Sequence, residues 1–100
     1  MDKKLKSNQR QYLKQLAHKK KPVVMIGDKG VTENVINEIN GALLAHELIK
    51  VKVKEIDREQ RAELINQIMS KVSCHLVQKI GQIVVLYRAQ EEGKQKITLP

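Results

Sequence analysis

Val23-Val24-Met25-Ile26-Gly27-Asp28-Lys29-Gly30-Val31-Thr32 is the stretch whose reading decides the fold. Four consecutive apolar residues predict a buried strand. Because both its faces are apolar, that strand is expected to be central or covered on both sides. A four-residue loop with glycine at each end follows, and Thr32 then opens an apolar-periodic segment. Glycines let a backbone turn sharply and let another molecule come close. The first N–H groups of a following helix lack intrahelical partners and carry partial positive charge. Strand, G-x-x-G and helix together suit phosphate, with Lys29 adding a cation at the loop tip. By itself the motif reads first as a plain strand-to-helix turn, because four-residue G-x-x-G matches are frequent.

Outward from this stretch the elements alternate. Upstream, Ser7 is the expected N-cap of a helix over about residues 8–20, with Leu13, Leu16 and Ala17 as its apolar stripe and Tyr12 at the edge. Arg10, Gln11 and Lys14 lie off that stripe, so its outward face is cationic. Lys19, Lys20 and Lys21 follow, and Pro22 stops the helix. Residues 1–6 read as a mobile basic arm.

Downstream, Thr32 caps a helix over 33–46 in which Val35, Ile36, Ile39, Ala42 and Leu43 recur at helical spacing. Leu48 to Lys54 alternates as a strand: Ile49, Val51 and Val53 on one face, Lys50, Lys52 and Lys54 on the other. That lysine ladder reads either as protection of a sheet edge or as contact with a polyanion. Asp57 with Gln60 resembles a capping box and starts a helix over 58–73, its core positions Ala62, Ile65, Ile68, Met69 and Val72. Leu76–Ile80 and Ile83–Arg88 form a hairpin about Gly81-Gln82. Ile97–Leu99 either adds a short strand or frays, and residues 89–100 read as a loosely structured tail. The order α-β-α-β-α-β-β predicts one α/β domain over residues 1–100: a mixed four-stranded sheet with right-handed crossovers and helices packed on it.

Composition narrows the function. The chain carries 19 Lys and Arg against 11 acids, a net +8. Residues 1–30 hold nine of the basic residues and only Asp2 and Asp28 as acids, a net +7. The excess therefore sits on the third that ends with the glycine loop, which predicts a polyanionic partner. The aromatics are Tyr12 and Tyr87, with no Phe or Trp. So few disfavour stacking of successive unpaired bases on aromatic platforms and favour recognition of backbone and shape. A single cysteine, Cys74, permits no internal disulfide and fits a reducing cytoplasm. No apolar run is long enough to span a membrane, and nothing behind the basic N-terminus resembles a signal peptide.

Catalytic and metal chemistry finds no foothold. His18, His46 and His75 lie in different elements, and Cys74 beside His75 is not a catalytic pair because adjacent side chains diverge. The loop lacks the spacing and the Lys-Ser/Thr ending of a nucleotide-binding loop. Glu47, Glu55, Asp57, Glu59 and Glu63 read as solvated charge, ion-pair partners or caps. The chain is expected to be no enzyme, with no cofactor, no metal, no small-molecule substrate and no membrane partner.

Several segments together resemble the CRM domain in its single-domain bacterial YhbY-type form. They are Gln9-Arg10, Leu13 and Ala17-His18 in the first helix; Pro22-Val23-Val24 through Thr32 about the loop; His46-Glu47-Leu48-Ile49-Lys50-Val51-Lys52; and Leu76-Val77-Gln78-Lys79-Ile80-Gly81 with Val85-Leu86-Tyr87-Arg88. The resemblance spans roughly residues 5–90, and the His46–Lys52 string and the hairpin are its most specific parts. It implies RNA binding in the cytoplasm and association with precursors of the large ribosomal subunit; plant relatives with several such domains take part in intron splicing. It also implies a fold similar to the C-terminal domain of translation initiation factor three. The G-x-x-G loop would be used much as in KH domains, with Gly27, Asp28, Lys29 and Gly30 as RNA contacts.

The combined expectation is a monomeric protein that binds ribosomal RNA of the pre-50S particle and assists assembly. The loop and Thr32 at the helix start would clamp phosphates, and Lys19, Lys20 and Lys21 would extend the footprint. Arg10, Lys14, Lys50 and Lys52 form a second rank. The alternatives are a duplex-DNA or nucleoid protein, and a basic protein-interaction module on the ribosome.

Overall fold

A computed structural model describes residues 4–91 and 93–100. Half of the expected N-terminal arm, residues 1–3, lies outside them. The elements are α1 (Ser7–His18), β1 (Pro22–Ile26), α2 (Glu33–His46), β2 (Leu48–Val53), α3 (Arg58–Lys71), β3 (His75–Ile80) and β4 (Ile83–Tyr87). The order α-β-α-β-α-β-β and the mixed four-stranded sheet are those expected.

Strand order decides which face each side chain meets. The sheet runs β1-β2-β4-β3, with β1 parallel to β2 and the other pairs antiparallel. β1 is thus an edge strand, not a central one. Val24 and Ile26 enter the core, while Val23 and Met25 stay about half exposed on the other side. Two apolar faces on one strand look like double burial in sequence; here helices cover only one of them. β2 is an inner strand, so its lysines cannot be guarding a sheet edge.

α2 and α3 cover one face. Ile39, Leu43, Ile65 and Ile68 close over Val24, Ile26, Ile49, Val51, Val53, Val84 and Leu86. Both helices begin with a working cap: Thr32 Oγ1 accepts from Val35 N–H at 3.2 Å, and Asp57 Oδ2 accepts from Gln60 N–H at 2.9 Å. Ala62, an expected core position of α3, is exposed. Leu64, half-buried against the core, takes part in its place.

α1 packs on the opposite face through Leu13 and Ala17, against Leu48, Val77, Val85 and Tyr87. Its N-cap is Lys6, one residue before the expected Ser7, and Lys6 N–H donates to Gln9 Oε1 at 3.0 Å. The helix ends at His18, with Lys19 as its C-cap. It stops before the lysine run because Leu16 and Ala17 are its last apolar anchors.

The tail forms no strand at Ile97–Leu99, yet both side chains pack against the α1 cluster. Its anchor is Glu47, fully buried at the C-cap of α2. Glu47 is therefore not a solvated charge, and among the described residues it forms no ion pair. Its carboxylate accepts from Gln90 N–H at 2.8 Å and from Lys96 and Ile97 N–H at 2.7 Å each. The residue sits at φ 64°, where a non-glycine residue persists only if its surroundings over-determine it. Burial, and then the Glu47 charge, push the nearby Tyr87 phenol above its ordinary pKa.

Candidate functional site

The glycine loop closes as a tight turn, Gly30 N–H donating to Gly27 O at 3.0 Å. Gly30 takes φ +71°, a backbone conformation that strains any side chain, so the turn itself favours glycine here. Gly27 is different. It has no positive φ, and a Cβ on it would meet nothing within 4 Å. The fold does not demand a glycine there, and its absent side chain leaves the backbone open to an approaching molecule.

The two sides of the loop carry opposite charge. Toward α3, a cleft of about 250 Å³ is lined by Asp28, Glu55 and Glu63 together with Gly27, Gly30, Gln60 and Leu64. A phosphate is repelled there, which answers the question that a carboxylate inside the loop raises: Asp28 belongs to the α3 side. Toward the sheet, Lys54 N–H donates to Ile26 O at 2.9 Å, which sets the end of the lysine ladder beside the loop. Thr32 has its hydroxyl engaged in capping α2, with Glu33 on the first turn.

From Lys54 the ladder continues through Lys52, in register with Met25, to Lys50 beside the start of β1. Lys50 Nζ donates to His18 O at 3.4 Å, closing the C-terminal end of α1. Lys19, Lys20 and Lys21, all exposed, follow that helix end. They and Lys29 lie at opposite ends of β1, roughly 16 Å of strand apart. The lysines of β2 fill the interval. The one ion pair among the described residues is Lys94–Glu91 at 3.7 Å on the tail, so no described carboxylate pairs directly with a lysine of this strip. A polyanion can follow it from the end of α1 to the glycine loop.

Arg10 and Lys14 stand apart from the strip. Arg10 Nη1 donates to Leu76 O at 2.7 Å and Val77 O at 3.0 Å, where the β3–β4 register shifts. That nitrogen ties α1 to the sheet. Lys14 is half-buried and lines a cleft with Gln78 and Ile80.

Two features escaped the sequence-based site. Lys54 carried a signal, since alternation sets it on the face of Lys50 and Lys52. A second cationic cleft, lined by Arg58, Arg61 and Lys79, carried none, because it joins α3 to the end of β3. Among the described residues no His, Cys, Asp and Glu gather into a group able to hold a metal ion, and no helix is long and apolar enough to cross a membrane.

Comparison with known proteins agrees on one family. The family model described as the CRS1 / YhbY (CRM) domain matches residues 5–88. An RNA-binding protein of Haemophilus influenzae is 52% identical over 96 residues, which is 96% of this chain and 95% of that protein. The Bacillus subtilis protein named Probable RNA-binding protein YqeI is 38% identical over 96 residues, covering 96% of this chain and 99% of its own. The solution structure of a Staphylococcus aureus protein, presented as a candidate RNA binder, superposes with a TM-score of 0.80 at 38% identity, covering 97% of this chain and all of that one.

Proposed function

This chain belongs to the CRS1/YhbY (CRM) domain family, and from that premise we propose that it binds ribosomal RNA in precursors of the large ribosomal subunit and assists their assembly. It does so in the cytoplasm, as a monomer, without catalysing a reaction. The observation that carries this reading is the strip of lysines along β2, none of them ion-paired with a described carboxylate, which joins Lys19–Lys21 to the glycine loop. Lysines in a row along one strand engage successive phosphates of a backbone, an interaction indifferent to base sequence. The loop adds a place where the RNA backbone comes close to protein backbone, at Gly27 and Lys29, outside the acidic cleft of Asp28, Glu55 and Glu63.

The test is titration with a ribosomal RNA fragment at several salt concentrations, against the chain carrying Gly27→Ala and Lys29→Ala. Gly30 is left intact because its φ favours glycine. Each phosphate engaged adds roughly 0.7–0.9 to the slope of log affinity against log salt. The unaltered chain should lose affinity steeply with salt. The double variant should bind several-fold more weakly with a shallower slope and an unchanged denaturation midpoint. Binding indifferent to salt would sink the phosphate mechanism, and equal binding by the variant would remove the loop from the interface. Duplex DNA as competitor at fixed salt separates a ribosomal role from a nucleoid one. Crosslinking in cells, with the bound positions mapped, tests the assignment to the large-subunit precursor.

A further inference from the structure

α1 covers only part of its face of the sheet. On that face the strand registers set three rows across the molecule: Leu48–Tyr87–His75, then Lys50–Val85–Gln78, then Met25–Lys52–Ile83–Ile80. Leu48, Tyr87 and Val85 are buried under α1. The third row is open at its two ends: Met25 is 57% and Ile80 58% exposed, with Val23 at 50% beside Met25, while Lys52 and Ile83 between them are half-buried. Aliphatic surface is thus open at both edges of one face, with half-buried Lys52 and Ile83 bridging them.

The surroundings of that row say what kind. Lys52 stands within it, and Lys50 and Lys54 precede and follow Lys52 along β2. Lys14 and His18 line the neighbouring cleft of about 430 Å³ with Gln78 and Ile80. None of the three rows contains a carboxylate. Lysine in the middle of an apolar patch is foreign to the core of a protein–protein interface, from which it is depleted. An apolar platform framed by lysines, with no carboxylate in its rows, suits a polyanion that also carries flat apolar surfaces. Unpaired nucleotides have both, with base faces for the aliphatic side chains and phosphates for the lysines. A duplex hides its base faces in the stack and can use the lysines alone. The row crosses three interstrand gaps, roughly 14 Å, enough for several nucleotides stacked at roughly 3.4 Å each.

We propose that the open half of the sheet, the Met25–Lys52–Ile83–Ile80 row with Val23, is a docking platform for unpaired nucleotides, an inference that rests on the RNA-binding reading above. The scarcity of aromatic residues does not oppose it, since the platform is aliphatic.

The test replaces both exposed side chains by another strand-forming residue, Met25→Thr with Ile80→Thr, and confirms an unchanged denaturation midpoint. Binding is measured to a mixed-sequence RNA oligonucleotide as a single strand and to the same strand annealed to its complement. The variant should bind the single strand severalfold more weakly, because the apolar area that the bases cover is lost. Duplex affinity and both salt slopes should stay the same, because every lysine that meets a phosphate is still in place. Unchanged single-strand affinity would overturn the proposal. So would an equal loss on the duplex, or normal RNA binding with loss of a nuclease-resistant protein complex, which would hand the face to a protein partner. Failure of the unaltered chain to bind either RNA would instead defeat the RNA-binding reading itself.

Discussion

On one face of the sheet, Ile49, Val51 and Val53 lie buried under α2 and α3 in a cluster of apolar side chains. On the other, the same strand β2 presents Leu48, Lys50 and Lys52, with one helix above the first and open space beyond. A strand alternates, so β2 serves both faces with residues one position apart. The sealed face excludes water and concentrates the hydrophobic contribution to stability. The half-covered face leaves charge and aliphatic surface free to meet another molecule. Fold and binding surface are thus divided across the thickness of one sheet.

The largest effect that can break this division is a cavity in the sealed face. Ile39 is fully buried there, and Ile39→Ala should lower unfolding free energy by about 2–5 kcal/mol in urea denaturation. The folded fraction should keep its RNA affinity and salt dependence. A loss of affinity beyond the unfolded fraction would mean that the faces are not independent.

Glu47 sharpens the comparison, because it holds the tail that completes the α1 side. Glu47→Gln replaces a carboxylate that accepts three backbone N–H bonds. A cost of about 1.5–3 kcal/mol is expected from weakening bonds to a charged group. Amide exchange should quicken at Gln90, Lys96 and Ile97 before it does in β2. Uniform acceleration throughout the chain would show that the tail is part of the global unit.

The smallest effect on stability belongs to the open face. Lys52→Ala with Lys54→Ala should change the unfolding free energy by no more than about 0.5 kcal/mol, as surface changes do. The salt slope for RNA should drop by roughly 0.7–0.9 for each phosphate no longer engaged. A large destabilisation with no change in slope would make these lysines structural and reverse the assignment of the face.

Much of this was legible beforehand, for local reasons. Thr32 and Asp57 cap the helices they were expected to cap, because capping is decided within four residues. The alternation from Ile49 to Val53 is correct for the same reason, and so is the hairpin at Gly81-Gln82. The loop was legible as a motif, but its opposed charges were not: Glu55 and Glu63 reach it only through the packing of α3. Glu47 looked like one more surface acid, since its three donors lie more than forty residues away in sequence.

By itself, then, the sequence determined the order of elements, their periodicities, two of the three helix caps and the concentration of positive charge before and within the glycine loop. Each of these rests on neighbours a turn or a strand away. The tertiary structure alone decided that β1 is an edge strand, that β2 is an inner one and that α1 covers only half a face. The reason is that a strand shows its own alternation but not which strands flank it. Pairing is settled by the competition of all four strands for one core. That outcome turned Val23 and Met25 from expected core into open surface, and the lysines of β2 from candidate edge guards into the middle of a binding face.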